Sequence, residues 1–222
     1  MNSILCVTPI LFFISFGQAQ DSTFSPVAEI SEAVILFDSI EQVELEKNNL
    51  LVRELDPGTR AGQTFEVIGY INAPQTRIVE TLGDFKAYPA FMPYMELVEI
   101  LSFDGQTSVL NFYLSLPMDI KKKYRIQIST INQHNGLIRL EWQTMKWPGL
   151  KPSETIRETS GYWLVQGLSP ERSLVLHHVY SDPGAIPFGL GWLFDMLTEN
   201  SVPQALLQTR ERCEALTNKL KP

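Results

Sequence analysis

The chain is poor in cysteine, histidine and positive charge, and each shortage closes off a class of function. Two cysteines in 222 residues, Cys6 and Cys213, exclude a disulfide scaffold and a cysteine-rich zinc module. The three histidines, His134, His177 and His178, do not form a zinc-ligand cluster, because two adjacent residues on one strand project to opposite faces. Eighteen basic residues against twenty-five acidic ones leave a formal net charge of −7. That balance suits neither nucleic-acid binding nor any other role that needs basic patches to displace phosphate counterions. Enzyme signatures are missing as well. There is no G-x-S-x-G elbow and no phosphate loop, and Gly189-Leu190-Gly191 runs into Trp192-Leu193-Phe194 rather than a third glycine. No catalytic residue, metal or cofactor is therefore expected. What the chain does have is 44% hydrophobic and 10% aromatic residues, too much for disorder and enough for one well-buried core.

Residues Ile4 to Phe16 carry no charge and are followed by Gly17-Gln18-Ala19. The run is too short for a bilayer core, which takes about 20 apolar residues, and it fits the apolar region of a signal peptide over residues 1–19. Met1-Asn2-Ser3 adds no lysine or arginine at the positive end, so a retained anchor and a buried first helix are the alternatives. The expectation is an exported protein, periplasmic or secreted, with Cys213 as its remaining cysteine and no internal disulfide.

Residues 20–42 read as a linker and an N-terminal helix, with Val27, Ile30, Val34, Phe37 and Ile40 at helical spacing behind Pro26. Leu50–Leu55 and Thr64–Asn72 read as strands on either side of an Asp56-Pro57-Gly58 turn. A helix from Ala73-Pro74 to about Phe85 precedes a short aromatic segment, Tyr88–Met95, that is a second small helix or a tight loop. Six strands follow: Leu97–Phe103, Val109–Leu116, Tyr124–Ile131, Leu137–Thr144, Thr155–Val165 and Ser173–Tyr180. Asp104-Gly105 and Asn135-Gly136 mark hairpins. Ile138, Leu140 and Trp142 alternate with Arg139, Glu141 and Gln143, which predicts an antiparallel sheet with one apolar and one solvated face. From Phe188 to about Leu216, apolar residues recur at helical spacing, and Pro203 should kink that helix or divide it. The pattern predicts one α+β domain, with a curved antiparallel sheet gripping a long C-terminal helix.

Several segments resemble the START-type lipid-binding domains of the Bet v 1-like, or helix-grip, superfamily. The resemblance begins at Val43-Glu44-Leu45-Glu46-Lys47, Leu51-Val52-Arg53-Glu54 and Pro57-Gly58. It continues through Ile71-Asn72-Ala73-Pro74, Leu82-Gly83-Asp84-Phe85 and Tyr88-Pro89-Ala90-Phe91-Met92. It is strongest at Thr155-Ile156-Arg157, Gly161-Tyr162-Trp163-Leu164 and Ser181-Asp182-Pro183-Gly184-Ala185-Ile186-Pro187. It places a START-like domain over residues 43–218. The chain departs from the family at Leu116–Lys123, where many members carry a proline-rich turn and an Arg-Asp pair. The resemblance implies a long apolar cavity between sheet and helix, and a lipid or other apolar small molecule as the partner. An enzyme like the polyketide cyclases and aromatases, and an interaction module whose cavity is filled by its own side chains, are the rival readings.

Candidate ligand contacts follow from strand parity and from the resemblance. Phe112, Tyr124, Trp142 and Trp163 read as sheet-interior aromatics, each either core or ligand contact; Tyr113, next to Phe112, cannot share its face. Arg157 shares parity with Thr159, Gly161 and Trp163. Facing inward it is a charge in an apolar tunnel, as the resemblance favours; facing outward it is solvated. One of the two adjacent histidines points into the cavity, and His178 is the candidate, against a surface histidine. Phe91, Met92, Trp192 and Phe194 fall where related domains border the tunnel entrance, and Gly184, Gly189 and Gly191 would let the last helix swing as a lid or simply pack in place. Lys121-Lys122-Lys123 with Arg125 is a solvated strand start or a docking point for anionic headgroups, the latter implying transient membrane contact.

Overall fold

The computed structural model describes residues 37, 39–55, 61–132, 136–184 and 195–219. Helix α1 (Ser39–Glu46) leads into strands β1 (Leu51–Leu55) and β2 (Gln63–Ile71), and α2 (Gln75–Gly83) is followed by a 3-10 turn at Phe85–Ala90. A meander then runs through β3 (Met95–Phe103), β4 (Thr107–Leu116), β5 (Ile120–Asn132), β6 (Leu137–Met145), β7 (Glu158–Ser169) and β8 (Arg172–Asp182). The chain ends in α3 (Ser201–Asn218). Over the described residues the expected helix–strand order is the observed one, with six of the eight strands longer by one to five residues. Tyr88–Met95 is only partly helical, because Pro89 permits the 3-10 turn but not a longer α-helix.

All neighbouring strands pair antiparallel in the order β1-β2-β8-β7-β6-β5-β4-β3, so the N-terminal hairpin docks against the last strand. Turn chemistry fixes the β3–β4 connection. Asp104 Oδ1 accepts from the backbone N–H groups of Gln106 and Thr107, at 3.0 and 2.7 Å, and Gly105 takes φ +100°. At the start of β6, Gly136 has φ +78°; its partner in the expected hairpin, Asn135, and the Asp56-Pro57-Gly58 turn lie outside the described residues. The same holds for residues 1–36, and with them the expected signal peptide and most of the N-terminal helix.

One face of the sheet wraps α3. Val202, Ala205, Leu206, Thr209, Arg210 and Cys213 form its buried stripe, three or four residues apart. They meet Phe65, Val67 and Ile71 of β2, Val175 and Val179 of β8, and Ile78 and Leu82 of α2 in the main core. Pro203 follows closely on a π-helical turn, so the expected interruption of the last helix is present one turn upstream of the proline. It is the third residue of α3, and the π-helical turn at Met196–Asn200 continues helically into Ser201, so the irregular hydrogen bonding falls in the turn before the residue that lacks an N–H.

The other face is not the fully solvated surface that the β6 alternation predicts. Leu51, Ile68, Leu137, Tyr162, Leu164, Leu174 and Leu176 form a second core beneath Leu45 of α1. Arg139 is buried there as well, with its guanidinium 3.7 Å over the Tyr162 ring and an ion pair to Glu141 at 2.8 Å. A helix laid across the outside of a sheet buries polar-face positions as readily as apolar ones, and alternation along one strand does not report it.

Candidate functional site

Between the sheet and the N-terminal end of α3 the inner face is not filled. A cavity of about 160 Å³ runs from Tyr88 and Met92 under β4 and β5 to His177 and Val179 on β8, with Leu197, Ser201, Val202 and Ala205 as its roof. The sheet creates the space through side-chain parity. Phe112 and Leu114 on β4, Tyr124, Ile126 and Ile128 on β5, Trp142 on β6, and Thr159 and Trp163 on β7 all face it. Gly161 permits the close approach of Trp142, since a Cβ there would lie 2.7 Å from the indole. No Asp, Glu, Lys or Arg is among the described residues of the wall.

Several polar groups of the wall are committed to partners within the chain. Tyr88 donates to the Leu82 carbonyl at 2.6 Å, Trp142 Nε1 to Thr159 Oγ1 at 3.4 Å, and Ser201 to the Leu197 carbonyl at 3.1 Å. Burial holds the Tyr88 and Tyr124 phenols well above their ordinary range, so both stay protonated. His177 stacks on Trp163, with ring centroids 3.6 Å apart, and burial pushes its pKa down to about 3. It is a neutral imidazole at any physiological pH.

Of the residues expected to contact ligand, Met92, Phe112, Tyr124, Trp142 and Trp163 are brought together on this wall. Trp192 and Phe194 lie outside the described residues, as do Gly189 and Gly191 of the expected lid. Three expectations are corrected. Phe91 turns away from the cavity into shallow grooves against α3, its ring 5.5 Å from that of Tyr88. Arg157 precedes β7, so the strand's parity does not reach it; its side chain is 60% exposed and pairs with Asp182 at 3.0 Å. His178 faces outward, stacked on Tyr162 and 3.2 Å from Glu66, and His177 takes the inner position. No signal in β8 alone distinguished the two. Leu174 and Leu176 flank one histidine and Val175 and Val179 the other, so both faces of the strand are apolar.

The basic run also divides. Lys121 is exposed and bound to Glu96 at 2.7 Å, whereas Lys122 is buried and donates to the Thr155 carbonyl at 3.2 Å. Lys123 and Arg125 lie over the Trp147 ring, on the outer face. Only part of the run is the solvated strand start of the sequence reading. Cys213 is fully buried in the main core, and burial raises its thiol to about 11, so it supplies no nucleophile.

An eight-stranded antiparallel sheet closed around a C-terminal helix, with an apolar cavity between them, has close counterparts among solved structures. A STAR-related lipid transfer protein from Xanthomonas axonopodis superposes with a TM-score of 0.65 at 17% identity, covering 74% of this chain and 93% of its own. The fold is the START-type helix grip. Human StAR-related lipid transfer protein 5 gives the same score at 12% identity, with 86% of this chain and 98% of its own covered. The START-type fold extends to the Zhui aromatase/cyclase from Streptomyces, with a TM-score of 0.53 at 14% identity over 76% of this chain and 95% of that one. No family model and no curated protein sequence matches the chain.

Proposed function

We propose that this protein binds an uncharged, largely apolar small molecule in the cavity and carries or senses it in the cell envelope, without catalysing its conversion. The observation that carries the reading is an unfilled cavity walled by aromatic and aliphatic side chains, with no ionisable carboxylate, ammonium or guanidinium among its described residues. Each 100 Å² of apolar ligand surface buried there contributes roughly 2.5 kcal/mol. Dehydrating an unpaired ionic headgroup costs several kcal/mol, enough to offset that gain. The named activity of two structural neighbours is lipid transfer, in keeping with this reading. The unfilled space counts against an interaction module with a packed interior.

The cyclase-like alternative has the Zhui likeness in its favour and the wall against it. Arg157 and His178 are outside the cavity, and a histidine with a pKa near 3 is a poor general acid or base at neutral pH. Export rests on residues 1–19, and transient contact with a membrane surface belongs to the carrier role. Residues 120–157 hold eight basic and two acidic side chains in a chain that is otherwise strongly acidic, and Lys146 and Lys151 are exposed there.

The decisive test is native mass spectrometry of the protein purified from its own host, followed by organic extraction and lipid identification. A co-purified lipid near one per chain is expected. A clean apo mass, with no uptake from a panel of fatty acid, fatty alcohol, sterol and phospholipid, would overturn the reading.

A further inference from the structure

Positive charge is unevenly placed in this chain. Residues 120–157 have a formal charge of +6, while the rest of the chain carries ten basic and twenty-three acidic side chains. Pairing uses up part of the excess: Lys121 is bound to Glu96, Arg139 to Glu141 and Arg157 to Asp182. Lys123, Arg125, Lys146 and Lys151 are in no ion pair among the described residues. All four stand at one end of the sheet. The pairing of β5 with β6 reaches Arg125 and Met145 there, and the β6–β7 connection, residues 146–157, continues from that point. It folds back on the outer face, setting the Trp147 ring against Tyr113, Lys123 and Arg125. An open groove results, lined by Arg125, Met145, Lys146, Trp147, Leu150 and Arg157 among others. The β4–β5 turn lies at the same end, and its Met118 is 72% exposed.

Two observations say what meets this face. Its unpaired cations are interleaved with an indole, Leu150 and Met118, and tryptophan with lysine and arginine is the mixture that sits at the headgroup level of a bilayer. Tyr124 and Ile156 line both the groove and the inner cavity, so one layer of side chains separates the two. An apolar cargo that avoids water reaches the cavity from a lipid phase, and a lipid phase held against this face comes within that layer of it.

We propose that this end of the sheet docks the protein on an anionic phospholipid surface, with Lys123, Arg125, Lys146 and Lys151 facing the headgroups and Trp147, Leu150 and Met118 at the interface. The choice of a membrane as partner rests on the ligand-binding reading above; the charge layout does not. Each lysine or arginine close to such a surface is attracted to it, and the attraction fades within a Debye length. The docking lipid and the cargo are different molecules. The outer face carries the charge that the cavity wall lacks.

Co-sedimentation with vesicles tests it, using phosphatidylcholine alone and phosphatidylcholine with about one third phosphatidylglycerol. At about 0.1 M salt the anionic vesicles should bind at least tenfold more tightly, and about 1 M salt, where the screening length is near 3 Å, should abolish the difference. Lys146→Glu with Lys151→Glu should weaken binding to the anionic vesicles about tenfold at unchanged Tm, since both side chains are exposed. Lys47→Glu with Lys219→Glu makes the same change of net charge at the far end of the sheet and should cost no more than about twofold. Equal affinity for both vesicles, insensitivity to salt, or equal effects of the two double variants overturns the proposal. Poly-glutamate that binds as tightly as the vesicles also overturns it, in favour of an acidic protein partner. Any of these leaves the cavity reading standing if native mass spectrometry still shows a bound lipid. A clean apo mass with no uptake overturns the cavity reading and not the docking.

Discussion

The two faces of the sheet solve different problems with similar residues. On the outer face, Leu164, Leu174 and Leu176 close against Leu45 of α1, and the charges among them are paired: Arg53 with Glu41 at 2.9 Å and with Glu66 at 4.0 Å, and Arg139 with Glu141. On the inner face, Ile126, Ile128, Trp142 and Trp163 line open space and no charge stands among the described lining residues. Packing is complete where no ligand goes. Where the ligand goes, the wall gives up contacts that its own chain could have made, since a side chain facing a void has no atoms on that side to attract it.

Paired truncations sharpen this comparison most directly. Leu164→Ala, at a position 1% exposed in the outer core, should cost about 3 kcal/mol. For a chain of this size that lowers Tm by roughly 6–12 °C. Ile126→Ala, at a position 3% exposed but on the cavity wall, should cost about 2 kcal/mol or less, because part of its surroundings is already empty. Differential scanning calorimetry of the ligand-free protein and both variants decides it. Equal losses would mean that the inner wall is as tightly packed as the outer, and would break the distinction.

Adjacent histidines give the next contrast, and it depends on pH. His177 is buried neutral with a pKa near 3, against an ordinary value of 6.5, so between those values the unfolded chain binds a proton that the native state refuses. Its contribution is therefore nil above pH 6.5, and stability is lost as pH falls from 6.5 toward 3. From neutral pH to pH 5 the loss from this residue alone is about 2 kcal/mol. Urea unfolding at both pH values, compared between the parent and His177→Phe, isolates it: the variant should lose about 2 kcal/mol less on acidification. An identical loss would place His177 in contact with water.

The sequence announced the sheet more clearly than the site, for physical reasons. Alternation in Tyr124, Ile126 and Ile128 against Arg125 and Gln127 assigns both faces of β5 without further information. Trp142 and Trp163 follow by the same parity, and they do line the cavity. In β8 the rule fails, because Leu174 and Leu176 serve the outer core while Val175 and Val179 serve the inner one. A strand buried on both sides carries no period that would tell His177 from His178. Phe91 was out of reach for a different reason: it follows a 3-10 turn, whose side-chain directions match neither the helical nor the strand repeat.

Arg157 offers the smallest effect and a direct check on where the binding site lies. A strand that began at Thr155, as the sequence suggests, would carry it inward with Thr159 and Trp163, and an inward arginine would make a natural headgroup anchor. Its side chain instead lies on the surface against Asp182, whose other carboxylate oxygen accepts from the Gly184 N–H at 2.8 Å. An exposed ion pair contributes about 0–1 kcal/mol, and Asp182 keeps a backbone donor when the guanidinium is removed. Arg157→Gln should therefore cost less than about 1 kcal/mol and leave the amount of co-purified ligand unchanged within a factor of two. A tenfold fall in ligand retention at unchanged Tm would move the polar end of the site out of the cavity and onto this surface. It would also reinstate an anionic headgroup, which the uncharged inner wall argues against.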